Sequence, residues 1–362
     1  MDLARDLARD LPRNLSGKAR LDADESCTPF VKDASRRVGF RGGCLPWWAW
    51  VRLFDFCQAA HCEIFFSLNA LRGRVRGACP EGTFCRQLPS AVRPACCTEW
   101  SGAWDATDAR RFLAASAASG RRPAAVAFGN ELGGAQGIAA HLPPEQYARE
   151  LLELRAILEA TWPERPPLLL APDTNFDAEW FGAFLANVFA NSSAEDNFNA
   201  SQPQRPPLDY VTHHMYPLGA GDDAELRIRA VDPKKLDLSA ERLKLVQRLV
   251  SNASGGRATP MVSETGGAYN SGQRGMTDAF ISGFWFNDLL GEVGKFGHAM
   301  ACRQSLLGGR YALVDLAKRQ LSPDFYSALL WRRLMSPKVL RSVKAPPVDA
   351  PSSPSSSSSS SS

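Results

Sequence analysis

Two glutamates lie at the ends of short apolar segments, where a pair of carboxylates can do acid–base chemistry. Glu131 follows the apolar run 124–128 and a Gly-Asn pair, and Glu264 lies near the end of a second run that begins at residue 260. Short apolar runs bounded by glycine predict buried strands. A glutamate beside such a strand is costly to bury without a partner. We therefore predict that Glu131 is a general acid, and that Glu264 is the second carboxylate at the mouth of a barrel.

Paired carboxylates of this kind are typical of enzymes that cleave glycosidic bonds. In a retaining glycosidase the two carboxyl groups stand about 5–5.5 Å apart, and one is the nucleophile while the other acts as acid and then base. Asn130 precedes Glu131 and is placed to bind a sugar 2-hydroxyl. The hydroxyl of Tyr216, at the end of another predicted strand, is placed to hold the nucleophile.

The same residues could instead have structural roles. Glu131 could be a carboxylate at the start of a helix, and Glu264 could be a charge that favours a helix dipole. A strand alternates its faces, so only one of His213 and His214 can point into the barrel. The chain has no HExxH motif, no GxSxG motif and no GxGxxG motif after a strand. We therefore predict no metal site and no cofactor.

The predicted elements alternate between strands and helices, which indicates a parallel α/β array. A closed (β/α)8 TIM barrel needs eight strands, and only six are visible, so we predict an incomplete barrel whose missing strands would precede residue 40. The six strands are predicted to end near Asn69, Asn130, Asp173, Tyr216, Glu264 and Leu307. The helices are predicted over residues 46–60, 107–118, 145–160, 177–190, 239–250, 277–291 and 323–335.

Composition divides the 362 residues into three parts. Residues 1–26 are polar and charged, and we predict disorder there. Residues 27–340 carry the barrel, and residues 341–362 form a Pro/Ser-rich tail that is also predicted to be disordered. No run of about 20 apolar residues is present, so no segment is predicted to span a membrane.

Net charge and cysteine content indicate the class of substrate and the cellular compartment of the protein. A net charge of +4 suits an acidic substrate and is too small to indicate nucleic acid. Nine cysteines without a CxxC pair favour disulfides over zinc, most of all between residues 79 and 97, with Cys57 or Cys302 left as a free thiol. No signal peptide is visible, yet the cysteines predict an oxidising compartment. Four N-glycosylation sequons also suit secretion; they begin at Asn14, Asn191, Asn199 and Asn252.

Taken together, the motifs resemble the heparanase-like family, glycoside hydrolase family 79. The segments that carry the resemblance are GNEL at 129–132, THHMYPL at 212–218, SETGGAYNSG at 263–272 and MACRQSLLGGRYALVD at 300–315. Residues 27–50 and 65–74 resemble especially the plant-type members. The resemblance covers roughly residues 27–340. It implies a (β/α)8 barrel with a flanking β-sandwich and a retaining β-glucuronidase activity.

The resemblance also implies roles for individual residues. Glu131 matches the acid/base and Glu264 the nucleophile. His214 matches a histidine of the site wall. Residues matching the subsite of the cleaved sugar are Asn69, Asn130 and Tyr216. Residues matching the segments that hold the glucuronate carboxylate are Tyr269, Asn270 and Tyr311.

The chain also departs from the family pattern. Asn270-Ser271 replaces a usual Gly-Gly, and Met215 replaces a usual histidine. The first two barrel strands and the C-terminal part of the β-sandwich are not visible, so the chain resembles a truncated member.

The expected partner is an acidic polysaccharide or proteoglycan glycan, with no nucleic acid. The expected location is extracellular, lysosomal or vacuolar, and peripheral contact with a membrane is compatible with it. Two alternatives stay open: an inactive paralogue that binds glycans, and a retaining barrel glycosidase of other sugar specificity. Four arginines are placed either to meet sulfate or uronate or to form a solvated face: Arg72, Arg74, Arg76 and Arg310.

Overall fold

A computed structural model describes residues 30–31, 43–76, 100–133, 140–190 and 205–336 of the chain. Several predictions fall on residues outside these ranges: the polar segment 1–26, most of the cysteine-rich stretch, the tail 341–362, and three of the four sequons. The fourth, Asn252, is exposed on a helix.

The centre of the fold is a six-stranded parallel sheet, which confirms the predicted α/β barrel-type architecture and its six strands. Every neighbouring pair in the sheet is parallel, so all six carboxyl ends meet at one edge. In spatial order the strands are β1 (Phe65–Leu68), β4 (Ala125–Phe128), β5 (Leu168–Asn175), β6 (Tyr210–Met215), β8 (Thr259–Thr265) and β10 (Ala301–Arg303).

Three two-stranded ribbons lie in the connections. They are β2 (Val75–Arg76) with β3 (Trp100–Ser101), β7 (Gly219–Ala220) with β9 (Ala268–Tyr269), and β11 (Val314–Asp315) with β12 (Gln320–Leu321). The pair β7–β9 is parallel, and it joins the loops that follow β6 and β8.

Helices connect the strands of the sheet. In the described residues they are α1 (Trp47–Ala60), α2 (Thr107–Ala118), α3 (Pro144–Thr161), α4 (Ala178–Phe189), α5 (Leu226–Arg229), α6 (Pro233–Ser254), α7 (Ser282–Lys295) and α8 (Pro323–Leu334). None of the helices in these ranges is long and apolar enough to cross a membrane.

The predicted bounds of three elements were wrong. Helix α6 begins at Pro233 instead of residue 239, because Asp232 caps it by accepting a hydrogen bond from the Lys234 N–H at 3.0 Å. Helix α7 begins five residues later than predicted. The hydroxyl of Thr277 is engaged in the preceding loop, where it accepts from the Gln273 N–H at 2.9 Å. Strand β10 is shorter than the predicted 298–307.

Two hydroxyl residues at helix starts do not cap their helices with their side chains. Helix α2 does begin at Thr107, but Thr107 is its first helical residue and Ala106 is the capping position. Ser322 is the capping position of α8, yet its hydroxyl donates to the Ala312 carbonyl at 2.6 Å and accepts no bond from the helix N–H groups.

Apolar side chains pack on both faces of the sheet, as alternation along a strand requires. Val126 and Phe128 of β4 join the large cluster under the helices, whereas Ala125 and Ala127 face the inner side together with Leu170. Full burial of a Leu or Phe contributes about 1.5–3 kcal/mol, so these strands are held by packing on the helices.

Arg74 is buried and forms an ion pair with Glu150 on α3. Its Nε donates to the Ala70 carbonyl at 2.8 Å and its Nη1 to the Gly102 carbonyl at 2.7 Å. Arg74 is therefore neither a solvated charge nor a sulfate ligand; it fastens the loop after β1 to α3. Arg72 is exposed and pairs with Asp108.

The described cysteines are of two kinds. Cys44 is disulfide-bonded, whereas Cys57, Cys62 and Cys302 are free thiols. The prediction that Cys57 or Cys302 stays free is confirmed.

Candidate active site

Glu131 lies just beyond β4 in a backbone conformation that non-glycine residues rarely adopt. Its φ is 55°, and its N–H donates to the Asp173 carbonyl at 2.8 Å. Gly129, two residues earlier, has a φ of 75°, and a Cβ there would lie 2.5 Å from Cδ1 of Leu132. The Ser67 hydroxyl on β1 donates to the Gly129 carbonyl at 2.6 Å. Neighbouring strands on both sides thus fix the turn that presents Glu131.

His214 lies between carboxylates contributed by three different strands or strand ends. Its Nδ1 is 3.0 Å from Oε1 of Glu131 and 3.9 Å from Oε2 of Glu264, and its Nε2 is 3.2 Å from Oδ1 of Asp173. Burial alone would lower the pKa of His214, but the hydrogen bonds to Asp173 and Glu131 outweigh it and raise that pKa to about 10. The ring is therefore an imidazolium that donates from both nitrogens at neutral pH.

His213, the next residue along β6, faces away from this cluster. Its Nε2 is 3.1 Å from Nε2 of His298, and both rings are buried. Burial lowers the pKa of both, that of His298 to about 4. The two adjacent histidines lie on opposite faces of the strand, as alternation predicts. His214 is protonated and His213 is neutral, because only His214 faces carboxylates.

Glu131 and Glu264 both lie on the Nδ1 side of the His214 ring, and Asp173 lies on the Nε2 side. One carboxylate oxygen of each glutamate lies within 4.8 Å of the other and of a ring nitrogen. The side chains are 13% and 27% exposed, so both are open to a ligand at the carboxyl edge of the sheet. The Asn175 amide donates to Oε1 of Glu131 at 3.2 Å and helps to orient it.

Tyr216 holds the other glutamate. Its hydroxyl donates to Oε1 of Glu264 at 2.6 Å and also contacts the side-chain amide of Gln304. A phenol has a single hydrogen, so the Gln304 amide serves best with its NH2 group turned toward the Tyr216 oxygen. Burial and the charge of Glu264 raise the pKa of Tyr216, so it remains a neutral donor.

Tyr311 reaches the same place from the loop after β10. It is buried, and burial together with the charge of Glu264 raises its pKa. Gly266 makes this approach feasible, because a Cβ at that position would lie 2.9 Å from Cε1 of Tyr216 and 3.3 Å from Cδ1 of Tyr311.

The loop after β8 presents Tyr269, Asn270 and Ser271 on the outer side of the site. The Tyr269 ring is 46% exposed and stands nearly perpendicular to Tyr216, with the ring centroids 6.4 Å apart. Asn270 and Ser271 have φ values of 57° and 69°, the left-handed region that favours glycine. The backbone therefore keeps a glycine-type conformation although both residues carry side chains.

The remaining two predicted residues lie at the ends of β1 and β4. Asn69 is exposed, and its Oδ1 accepts from the Leu71 N–H at 2.9 Å. Asn130 is half-buried directly before Glu131. Both follow strands that are neighbours in the sheet.

Within the described residues, one group has the donor types and spacing of a metal site, and it consists of Glu131, His214 and Glu264. Both ring nitrogens of His214 already face carboxylate oxygens, so a metal would have to replace the Nδ1 contact with Glu131. The positive charge between the carboxylates is supplied by the histidine itself.

Sequence reasoning missed three residues that contact the predicted ones: Asp173, Asn175 and Gln304. The run Asp173-Thr174-Asn175 at the end of β5 was the available signal, since polar residues at strand ends of barrels indicate a site. Gln304 directly follows β10 and had the same signal.

Comparison with known proteins identifies the family of this chain. The N-terminal domain of glycosyl hydrolase family 79 matches residues 18–291. Heparanase-like protein 1 of Arabidopsis thaliana is 34% identical over 87% of this chain and 52% of its own length. Baicalin-beta-D-glucuronidase of Scutellaria baicalensis is 31% identical over 88% of this chain and 56% of its own. The chain thus spans about half the length of these relatives.

Solved structures support the fold. A monomeric beta-xylosidase from Caulobacter crescentus CB15 aligns with a TM-score of 0.52 at 15% identity, over 82% of this chain and 58% of the other. At this identity the likeness concerns the fold alone. The matched domain and the curated relatives show that the chain belongs to glycosyl hydrolase family 79.

Proposed function

We propose that the protein is a retaining glycoside hydrolase that cleaves β-glucuronide linkages in acidic glycans or proteoglycans. The observation that carries the proposal is the approach of Glu131 and Glu264 to within 4.8 Å at the carboxyl edge of the sheet. Retaining enzymes hold their carboxyl groups about 5–5.5 Å apart, whereas inverting enzymes need about 6.5–9.5 Å to admit a water.

In the proposed reaction, a carboxylate oxygen of Glu264 attacks the anomeric carbon while Glu131 gives its proton to the leaving glycosidic oxygen. Glu131 then removes a proton from water, and the water oxygen displaces Glu264 from the anomeric carbon. The hydrogen bond from Tyr216 orients Glu264, the nucleophile. Hydrogen bonds from Asn175 and His214 orient Glu131, the acid/base.

The glucuronide specificity rests on two supports. One curated relative is named baicalin-beta-D-glucuronidase. The loop of Tyr269, Asn270 and Ser271 keeps a left-handed backbone, and successive N–H groups in such a turn can form a concave site for an anion such as a carboxylate.

The disulfide at Cys44 supports an oxidising, extracytoplasmic location.

The proposal is tested with a set of aryl β-glycosides that differ only in the sugar. We expect release of the aryl group from the glucuronide to exceed release from the xyloside and arabinofuranoside by at least about 100-fold, the discrimination that a site built for a polar group provides. Equal rates on all three sugars would contradict the glucuronidase assignment while leaving a glycosidase.

Two isosteric variants test the roles of the glutamates. We expect Glu264→Gln to abolish turnover of the aryl glucuronide, and Glu131→Gln to slow glycans more than aryl substrates, whose leaving group needs less protonation. Glu241→Gln, an exposed change on α6, is the control. Unchanged turnover in Glu264→Gln would contradict the mechanism. Glycan binding without turnover in the wild type would indicate the glycan-binding alternative.

A further inference from the structure

An open pocket lies at the opposite end of the sheet from Glu131 and Glu264. It is formed by the end of α1, the segment before β1 and the turn before β4, and its volume is about 420 Å³. Two cysteines, Cys57 and Cys62, line it together with the arginines at 121 and 122. The proposed reaction uses none of these residues.

The end of α1 brings the two cysteines together. Helix α1 ends at Ala60, and His61 has a φ of 51°, in the left-handed region. The Cys62 N–H donates to the Cys57 carbonyl at 2.9 Å, and the His61 N–H donates to the Gln58 carbonyl at 3.4 Å. This pair of bonds is a Schellman motif, in which the side chains at the Cys57 and Cys62 positions pack on each other.

The two thiols lie next to each other at this cap. Both cysteines are free, and the pKa of the Cys57 thiol is raised by burial and by the neighbouring Cys62 thiol. In most Schellman motifs this contact is between two apolar side chains. Here it is between two sulfurs, one half-buried and one exposed to the pocket.

We propose that Cys57 and Cys62 form a redox-active dithiol that closes to a disulfide across the C-terminal cap of α1, with a small peptide disulfide such as glutathione disulfide as oxidant. The Cys62 thiolate attacks one sulfur of the oxidant and expels one thiolate. The Cys57 thiolate then attacks Cys62 Sγ and expels the second. The chain loses two electrons and two protons, and the oxidant becomes two thiols.

The surroundings set the order of the two attacks. Cys62 is exposed to the pocket, whereas burial, with the neighbouring Cys62 thiol, raises the pKa of Cys57 to about 11. Because the thiolate is the nucleophile, Cys62 reacts first and Cys57 resolves the mixed disulfide. Both charge signs line the pocket, positive at Arg121 and Arg122 and negative at Asp55 and Glu63, which suits a zwitterionic peptide oxidant.

The sequence allows a direct test. Trypsin releases residues 53–72 as one peptide, which carries both cysteines and no other. The full chain is equilibrated with reduced or oxidised glutathione, alkylated and digested, and the masses of the peptides are measured by mass spectrometry. We expect two alkyl groups on the peptide after reduction. After oxidation we expect none, with an unmodified peptide about 2 Da lighter because two hydrogens have been lost.

Two variants sharpen the result. In Cys62→Ser the oxidised sample should keep an alkylatable Cys57. Cys302→Ser, the matched control in β10, should close as the wild type does. Closure should also raise the Tm by roughly 2–6 °C in the wild type and not in Cys57→Ala/Cys62→Ala, because the disulfide constrains the unfolded chain.

Three outcomes would overturn the proposal. They are a peptide that stays doubly alkylated in oxidised glutathione, stable glutathione adducts on both cysteines in place of an internal bond, and linkage of either cysteine to another peptide of the chain.

Discussion

At the scale of the residue, the site is organised around one buried cation. His214 faces three carboxylates, two at Nδ1 and one at Nε2, and its protonated ring offsets part of the repulsion between Glu131 and Glu264. Asp173 is the residue that contacts His214 on the side away from the glutamates, so it acts through the histidine as a positioning residue.

Asp173→Asn should lower the pKa of His214 from about 10, by roughly 1–3 units, because one of its ionised partners becomes neutral. NMR titration of the imidazole protons measures this directly, since the chain has only five histidines. Asp222→Asn, an exposed change, is the control. An unchanged His214 titration in Asp173→Asn would contradict the assigned ion pair.

Tyr216→Phe should reduce kcat about 10- to 100-fold while KM changes little, because a hydrogen bond to a charged group is worth about 1.5–3 kcal/mol. The structure gives this bond a length of 2.6 Å to Oε1 of Glu264. Steady-state kinetics on an aryl glucuronide provide the measurement, with Tyr326→Phe, exposed on α8, as the control. A variant with wild-type kcat would exclude Tyr216 from orienting the nucleophile.

Residue types at strand ends predicted Glu131, Glu264 and Tyr216 as one cluster. They left His213 and His214 open, and only the family resemblance assigned His214 to the site. Asp173 was not predicted as a site residue, because the register of β5 against β6 shifts between Ala171 and Thr174. Such a shift changes which residues face the site, and the pattern of side chains alone does not reveal it.

At the scale of the element, the strands were easier to predict than the helix ends. Apolar runs bounded by glycine or polar residues identify β4 and β5 at once. Helix α6 begins in the polar run Asp-Pro-Lys-Lys. The capping aspartate and the proline of the first turn indicate a helix start there, but the run lacks the apolar periodicity by which helices are recognised. The buried Arg74 was equally hidden, because its partner Glu150 lies 76 residues away.

Glu150→Ala should destabilise the protein by about 3–5 kcal/mol, because it leaves the Arg74 charge buried without a partner. Glu153→Ala on the same helix is a matched control, since its pair with Arg110 is exposed and worth about 0.2–1 kcal/mol. Urea unfolding of the two variants measures the difference. Similar losses of stability in both would show that the Arg74 pair does not fasten the loop after β1.

At the scale of the whole molecule, two buried histidine sites give stability opposite dependences on pH. His298 has a folded pKa of about 4, below its usual 6.5, so its contribution is present above pH 6.5 and is lost as the pH falls through 4. His214 has a raised pKa, so its contribution is complete below 6.5 and is lost as the pH rises through about 10. The fold should be most stable near the middle of this range.

His298→Gln should flatten the acid side of the stability profile, by up to about 1.4 kcal/mol per pH unit between pH 4 and 6.5. The neighbours that bear on its partner His213 are Arg242 and His214, and both are unchanged in this variant. Urea unfolding at a series of pH values provides the slope. A slope equal to that of the wild type would exclude the buried histidine pair as its source.

The central claim is that Glu131 and Glu264 act as a retaining pair, and the configuration of the first product tests it most directly. Proton NMR of the anomeric signal during hydrolysis of a β-glucuronide distinguishes the two outcomes before mutarotation mixes them. The carboxylate oxygens within 4.8 Å predict that the β-anomer of glucuronic acid appears first. Initial appearance of the α-anomer would contradict the double displacement and the roles assigned to both glutamates.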